Sequence, residues 1–280
     1  MYCLLVRVIG YSKNSPLDEL FLDKSWLFLR ILDSRWANAE EETHRIMTLL
    51  EKLGVERGSK ILDLGCGNGR IAVHLAKHGY RVVGVDYSKV FIEDAKKKAE
   101  EHGVSDNIEF IIGDARRIDE LFNENIFDAT IMYWTTIIGY YLDPEVDRMI
   151  LEKIWHVTRK GGYLLILNHA SQELISCRTG YCGQASYYLD IDGELAMIEK
   201  PVYDPIRSVV KTTWVFYRKK GKNLEYIDEA SFELRLYTLH EIIELAEKAG
   251  WTYVEAYGSL ETLKPYIPGR SGLNIVFRKQ

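Results

Sequence analysis

Ile61-Leu62-Asp63-Leu64-Gly65-Cys66-Gly67-Asn68-Gly69-Arg70 is the stretch from which the rest of the chain is read. An apolar run that ends in three alternating glycines and continues into Ile71, Ala72 and Val73 has the pattern of a buried strand, a tight turn and a helix start. Glycine suits such a turn because it tolerates positive φ and, lacking Cβ, lets a ligand lie against the backbone. The spacing is Gly-x-Gly-x-Gly, whereas the dinucleotide fingerprint is Gly-x-Gly-x-x-Gly. Arg70 stands where the third glycine of that fingerprint would be, which disfavours a nicotinamide-dependent dehydrogenase.

Outward from this turn, short β-branched runs alternate with amphipathic stretches. Strands are expected at 60–64, 81–86, 108–112, 127–133 and 163–167, and helices at 69–78, 89–102 and 144–159. Strands alternating with helices imply parallel strands joined by right-handed crossovers, hence a doubly wound α/β sheet. Before it, 17–32 and 40–53 read as two helices, giving an N-terminal cap over 1–56. After His169 the rhythm changes. Residues 186–191 and 194–200 flank Asp192-Gly193, a hairpin signal, and 208–218 and 224–237 form a second strand pair. We read 171–236 as an antiparallel β insertion serving as a lid or dimer contact. The α/β core occupies 57–170 and 237–280, with a helix at 239–249 and strands at 251–257 and 273–278.

Two acids mark the next strand tips. Asp86, after Val82-Val83-Gly84-Val85, stands where a carboxylate accepts both ribose hydroxyls of an adenosine group. Ser88 is the better placed residue to cap the following helix, and Tyr87 offers an apolar edge to the adenine. After the third strand, Gly113-Asp114-Ala115 offers a carboxylate for the exocyclic amine and a backbone N–H for a ring nitrogen.

In this order and spacing, the glycine turn, Asp86 and Gly113-Asp114-Ala115 resemble the cofactor motifs of class I S-adenosylmethionine-dependent methyltransferases. The likeness extends to Phe127-Asp128, Arg159-Lys160-Gly161-Gly162, Arg235-Leu236-Tyr237-Thr238 and Ala249-Gly250-Trp251. It implies a seven-stranded Rossmann-like sheet whose last strand runs antiparallel to its neighbours, with S-adenosyl-L-methionine as the cofactor. Carried over, Asp63, Gly65, Cys66, Gly67 and Gly69 surround the methionine part, Asp86 the ribose, and Asp114 with Ala115 the adenine, which Tyr87 edges. Tyr133 closes the donor site.

A sulfonium carries an already activated methyl, so alignment and exclusion of water are the main tasks of such an enzyme. A general base matters only for a hydroxyl or protonated-amine acceptor, and His169 and Tyr133 are the catalytic candidates, with His156 a third. The aromatic segment after the fourth strand supplies Trp134, Thr136 and Tyr140 to a substrate pocket, joined by Trp36 from the cap. Arg35 and Arg70 are candidates for the donor's carboxylate, and Tyr181, Tyr187, Tyr188 and Trp214 for the acceptor pocket or a dimer contact. The segment lacks the Asn-Pro-Pro-Tyr pattern of enzymes that methylate base amines.

Composition narrows the acceptor. The 280 residues are 47% apolar, enough for a large core. Thirty-six Lys and Arg against 41 Asp and Glu give a formal charge of −5, so no broad positive field favours nucleic acid. Four scattered cysteines form neither a disulfide framework nor a zinc pattern, and no run reaches the length of a membrane span. The expectation is a cytoplasmic methyltransferase for a small-molecule N or O acceptor. It has no metal and no membrane association, and it is a possible homodimer. An RNA or protein methyltransferase and a non-catalytic partner protein are the alternatives.

Overall fold

The computed structural model describes residues 18–134, 137–180 and 186–280. A π-helical turn at Glu19–Asp23 leads into α1 (Ser25–Ser34), and a 3-10 turn into α2 (Ala39–Lys52). The core then runs β1 (Lys60–Leu64), α3 (Arg70–Lys77), β2 (Arg81–Asp86), α4 (Lys89–Glu101), β3 (Ile108–Ile112), α5 (Ile118–Leu121), β4 (Phe127–Tyr133), α6 (Pro144–Val157) and β5 (Thr158–His169). An insertion follows, made of α7 (Gln172–Gly180), β6 (Tyr187–Asp190), β7 (Leu195–Asp204), β8 (Val209–Lys220) and β9 (Asn223–Arg235). The core resumes with α8 (Leu239–Lys248), β10 (Thr252–Tyr257) and β11 (Leu273–Arg278).

Seven strands form one sheet in the order β10-β11-β5-β4-β1-β2-β3, and β11 alone runs antiparallel to both of its neighbours. The order reverses between β1 and β4, the place where an open α/β sheet leaves a crevice outside its strand tips. Period-two alternation sorts the core. Leu62 and Leu64 of β1 join the cluster built on α6 and α8, whereas Ile61 joins the one built on α2, α3 and α4. Each fully buried aliphatic side chain there contributes about 2 kcal/mol.

Helix ends follow local chemistry. Thr238 and Glu241 complete a reciprocal capping box on α8, and Asp143 with Pro144 starts α6. Ser88 occupies the N-cap position of α4, but its buried hydroxyl makes no capping bond; Asp86 Oδ1 accepts from the Ser88 N–H at 2.8 Å instead.

Three expectations need correction, and one segment is added. The first cap helix is shorter, because a π turn precedes α1. β5 begins at Thr158, pairing first with Phe127 before a register shift at the glycine pair. The segment after Asp114, where no element is expected from the sequence, is helical, since Asp114 caps a 3-10 turn at Ala115–Arg117 that runs into α5. The insertion opens with a helix, α7, where Ser171 Oγ accepts from the Leu174 N–H at 3.3 Å. Its four strands then form one meander, β6-β7-β8-β9, rather than two separate hairpins.

This second sheet roofs the crevice. Ile191, Leu195, Met197 and Phe216 pack on Leu27 and Ile31 of α1, and Val210 and Leu234 pack beside Ile175 of α7. Among the described residues no helix is long and apolar enough to cross a membrane.

Candidate active site

Three positive-φ glycines turn the chain from β1 into α3: Gly65 at 75°, Gly67 at 55° and Gly69 at 77°. The N–H groups of Gly65 and Cys66 both donate to Val85 O, which ties the turn to the next strand. Asp86 Oδ2 accepts from the Gly67 N–H at 2.8 Å, so this acid braces the turn as well as facing the cavity. A Cβ on Gly67 would lie 3.1 Å from Leu32 of α1, so the cap helix lies directly over the turn. At Gly69 the same atom would meet Phe110 Cζ at 2.7 Å. Gly69 is therefore a packing position and does not line the cavity, contrary to the sequence expectation.

The cavity at these tips, with an empty volume of about 940 Å³, is lined by Asp63, Gly65, Cys66, Gly67, Asp86, Tyr87, Asp114, Ala115 and Tyr133. Burial pushes the Asp63 carboxyl up to about 7 despite the nearby Arg70 guanidinium, and Asp63 Oδ2 has no hydrogen-bond partner. Burial likewise holds Asp86 at about 6, although backbone N–H groups favour its charged form. The Cys66 thiol is pushed well up by burial, which makes it an apolar wall. Tyr87 donates its hydroxyl proton to Asp18 Oδ1 at 2.8 Å.

Arg70 pairs with Glu42 and lies over the rings of Tyr133 at 5.0 Å and Trp134 at 5.7 Å. Asp114 is more committed than its sequence position indicates. Arg116 donates Nε to Oδ1 and Nη2 to Oδ2, the latter at 2.5 Å, and its backbone N–H also goes to Oδ1.

A second cavity, about 1670 Å³ of empty volume, lies between the core and the inner face of the insertion sheet. Phe28, Trp134 and Tyr140 line both cavities. His169, at the end of β5, lines only the second; burial lowers its pKa to about 4, and its Nε2 is buried without a partner. Arg35, Tyr187 and Trp214 also line it, whereas Tyr188 is exposed.

Several assignments move. Trp36 lines neither cavity but stacks on His102 at 5.5 Å, with Lys98 Nζ 4.7 Å over its ring, because the 3-10 turn between α1 and α2 directs it towards α3 and α4. Tyr133 is pushed up from the ordinary phenol value by burial and by Glu42, which disfavours it as a base. His156 sits exposed in the last turn of α6. Thr136 and Tyr181 lie outside the described residues.

Sequence reasoning missed Glu199, Arg178 and Phe28 in the cavity walls. The alternation Met197, Glu199, Pro201 in β7 was a usable signal, but only once the strand's partner face was known. It also offered no metal site, while the fold brings ligating atoms of Glu40, His44 and His78 within 4.8 Å of one another, on residues that line neither cavity.

A protein-family model described as "Methyltransferase domain" matches residues 55–224. The chain belongs to this methyltransferase family. Among relatives of the methyltransferase, a Geobacillus sp. (strain WCH70) protein provisionally designated a methyltransferase is 28% identical over 208 residues, covering 74% of this chain and 79% of that one. A solved S-adenosylmethionine-dependent methyltransferase from Clostridium acetobutylicum superposes with a TM-score of 0.70 at 15% identity, covering 85% of this chain and 90% of that one. An amino pentose methyltransferase from Micromonospora echinaspora, solved with S-adenosylmethionine bound, gives 0.67 at 14% identity, covering 91% and 97%. These two likenesses show a shared Rossmann-like fold. The cofactor of the methyltransferase is S-adenosylmethionine, and the donor-side cavity fits it: an unpartnered buried carboxylate oxygen on Asp63, a side-chain-free turn and a second acid on Asp86 face one space.

Proposed function

We propose that this methyltransferase transfers the methyl group to a small-molecule acceptor held in the second cavity. The observation that carries the proposal is the common wall. Phe28, Trp134 and Tyr140 belong to both cavities, so an acceptor under the insertion sheet meets the donor side at one aromatic boundary.

When bound, S-adenosylmethionine supplies a methyl already activated on a sulfonium. Asp63 and Arg70 hold the charged ends of the donor's methionine part, Asp86 its ribose hydroxyls, and Asp114 with Ala115 its adenine edge. Trp134 and Phe28 exclude water and align the acceptor, which is the larger part of the catalysis such a displacement needs. His169, which lines this cavity, is the candidate to accept the proton that an N–H or O–H acceptor gives up, although burial makes it a weak base. The free thiols Cys66 and Cys177 go with a reducing, cytoplasmic location in this reading.

The test is calorimetric titration with S-adenosylmethionine and its demethylated product, followed by labelled-methyl transfer to fractionated metabolites, RNA and protein. Label in a low-molecular-weight fraction is the expected result. Label only in RNA or protein would replace the acceptor assignment, and salt-sensitive RNA retention would point to the first of these.

A further inference from the structure

Building on methyl transfer in the second cavity, we infer that its occupant is a cationic amine, recognised by Glu199 and an aromatic box around it. The inner face of the insertion sheet presents Met197, Glu199 and Pro201 from β7 beside Thr212 and Trp214 from β8. Glu199 and Trp214 are direct cross-strand partners, so the carboxylate and the indole stand side by side on the cavity wall. Glu199 is the only carboxylate among the described residues that line this cavity.

Aromatic rings gather beside this pair. Phe28 stacks on Trp214 with centroids 5.6 Å apart and planes at 11°, and its ring lies 6.4 Å from that of Trp134. Phe232 meets Trp214 edge-on at 5.1 Å. Aromatic faces attract ammonium groups most strongly where water is excluded. Arg35 already shows this preference, lying 5.3 Å over Trp134.

Glu199 has no ion-pair partner within 4.0 Å among the described residues, and the nearest cationic influence on it comes from Arg178 at the end of α7. Arg35 and Arg178 also line this cavity, but neither forms an ion pair with Glu199, and a half-buried carboxylate without a direct ion pair carries a desolvation cost that a contacting ammonium reduces. Two further polar atoms in the same walls are buried and unpartnered, Trp214 Nε1 and His169 Nε2. The indole N–H lies towards Glu199 and favours its charged form. Glu199, Trp214 and His169 all line this space, which adjoins the donor side.

The probe is choline, compared with its uncharged isostere 3,3-dimethylbutan-1-ol, each titrated into the full chain and followed by tryptophan fluorescence. Choline is expected to bind about tenfold or more tightly than the isostere, and Glu199→Gln to remove that preference. Equal binding of the two probes by the wild type, no choline binding, or an unchanged preference in Glu199→Gln would each overturn the inference. Should Glu199→Gln not fold, Trp214→Leu gives the same readout, and the wild-type comparison stands without any variant. The demethylated donor product, titrated against the same samples, reports the donor site separately. Its failure to bind the wild type would overturn the methyl-transfer reading whatever choline does, and unchanged product binding alongside lost choline preference is the expected pattern in Glu199→Gln.

Discussion

The donor crevice and the acceptor cavity share three rings but are built in opposite ways. The crevice takes its polar groups from consecutive residues at three adjacent strand tips, Asp63 to Gly67, Asp86 with Tyr87, and Asp114 with Ala115. The cavity takes one residue in two from four strands, and others from α1, α7 and the end of β5. A backbone turn fixes its chemistry within a few residues, so the crevice is rigid and depends on local sequence. A sheet face fixes its chemistry through register, so the cavity can change its ligand by single substitutions that leave the fold intact.

The largest expected effect probes the acceptor side. His169→Gln should lower kcat by about a hundredfold, within the range for a lost proton acceptor, while donor product binding stays unchanged. Steady-state kinetics paired with calorimetry checks this, and loss of product binding would mean that His169 belongs to the donor crevice after all. Next comes the scaffold of the crevice. Gly69→Ala places a methyl 2.7 Å from Phe110 Cζ at a positive φ, and should destabilise the chain by about 2 kcal/mol in denaturant unfolding. Adding Phe110→Leu should return part of that loss, since the clash is with the ring.

Asp86→Ala should weaken S-adenosylmethionine and its product at least about tenfold, or about 1.4 kcal/mol. Asp86→Asn, which keeps one acceptor oxygen for the Gly67 N–H, separates ribose recognition from bracing of the turn. Equal donor binding by both variants would remove the ribose assignment. The smallest effect is pH dependence. Asp63 near 7 and Asp86 near 6 are raised above their unfolded values chiefly by burial. The donor-free fold therefore retains protons that the unfolded chain has released, and their contribution to stability is lost as pH rises from about 4 through about 7. A cationic donor favours the carboxylates, so its affinity should fall severalfold between about pH 8 and about pH 6, with proton release on binding. Calorimetry in buffers of different ionisation enthalpy measures both, and a flat profile would show that neither acid meets the donor's charge.

The same contrast explains what could be read from the chain. β1, β2, β3, β4 and β11 match the expected strands residue for residue, because each is a short β-branched run bounded by turn residues. Asp63, Asp86 and Asp114 reach one cavity because parallel strands in register carry their last residues to one edge. Trp36 could not be placed, since an aromatic in a 3-10 turn between two helices has no periodicity to assign it a face. The commitment of Asp114 to Arg116 was hidden for a related reason: a two-residue spacing becomes an ion pair only when the chain turns helical there. Glu199 stayed unread because which face of β7 looks inward depends on contacts far away in sequence, with α1 and α7.

Phe28 belongs to an α1 helix that also rests Leu32 on the glycine turn, and its ring contacts both Trp134 and Trp214. A guest that displaces this ring on one side is thus felt on the other. Thermodynamic reciprocity then requires that whatever factor the first compound adds to the affinity of the second is returned in full, so order of arrival cannot alter the final occupancy.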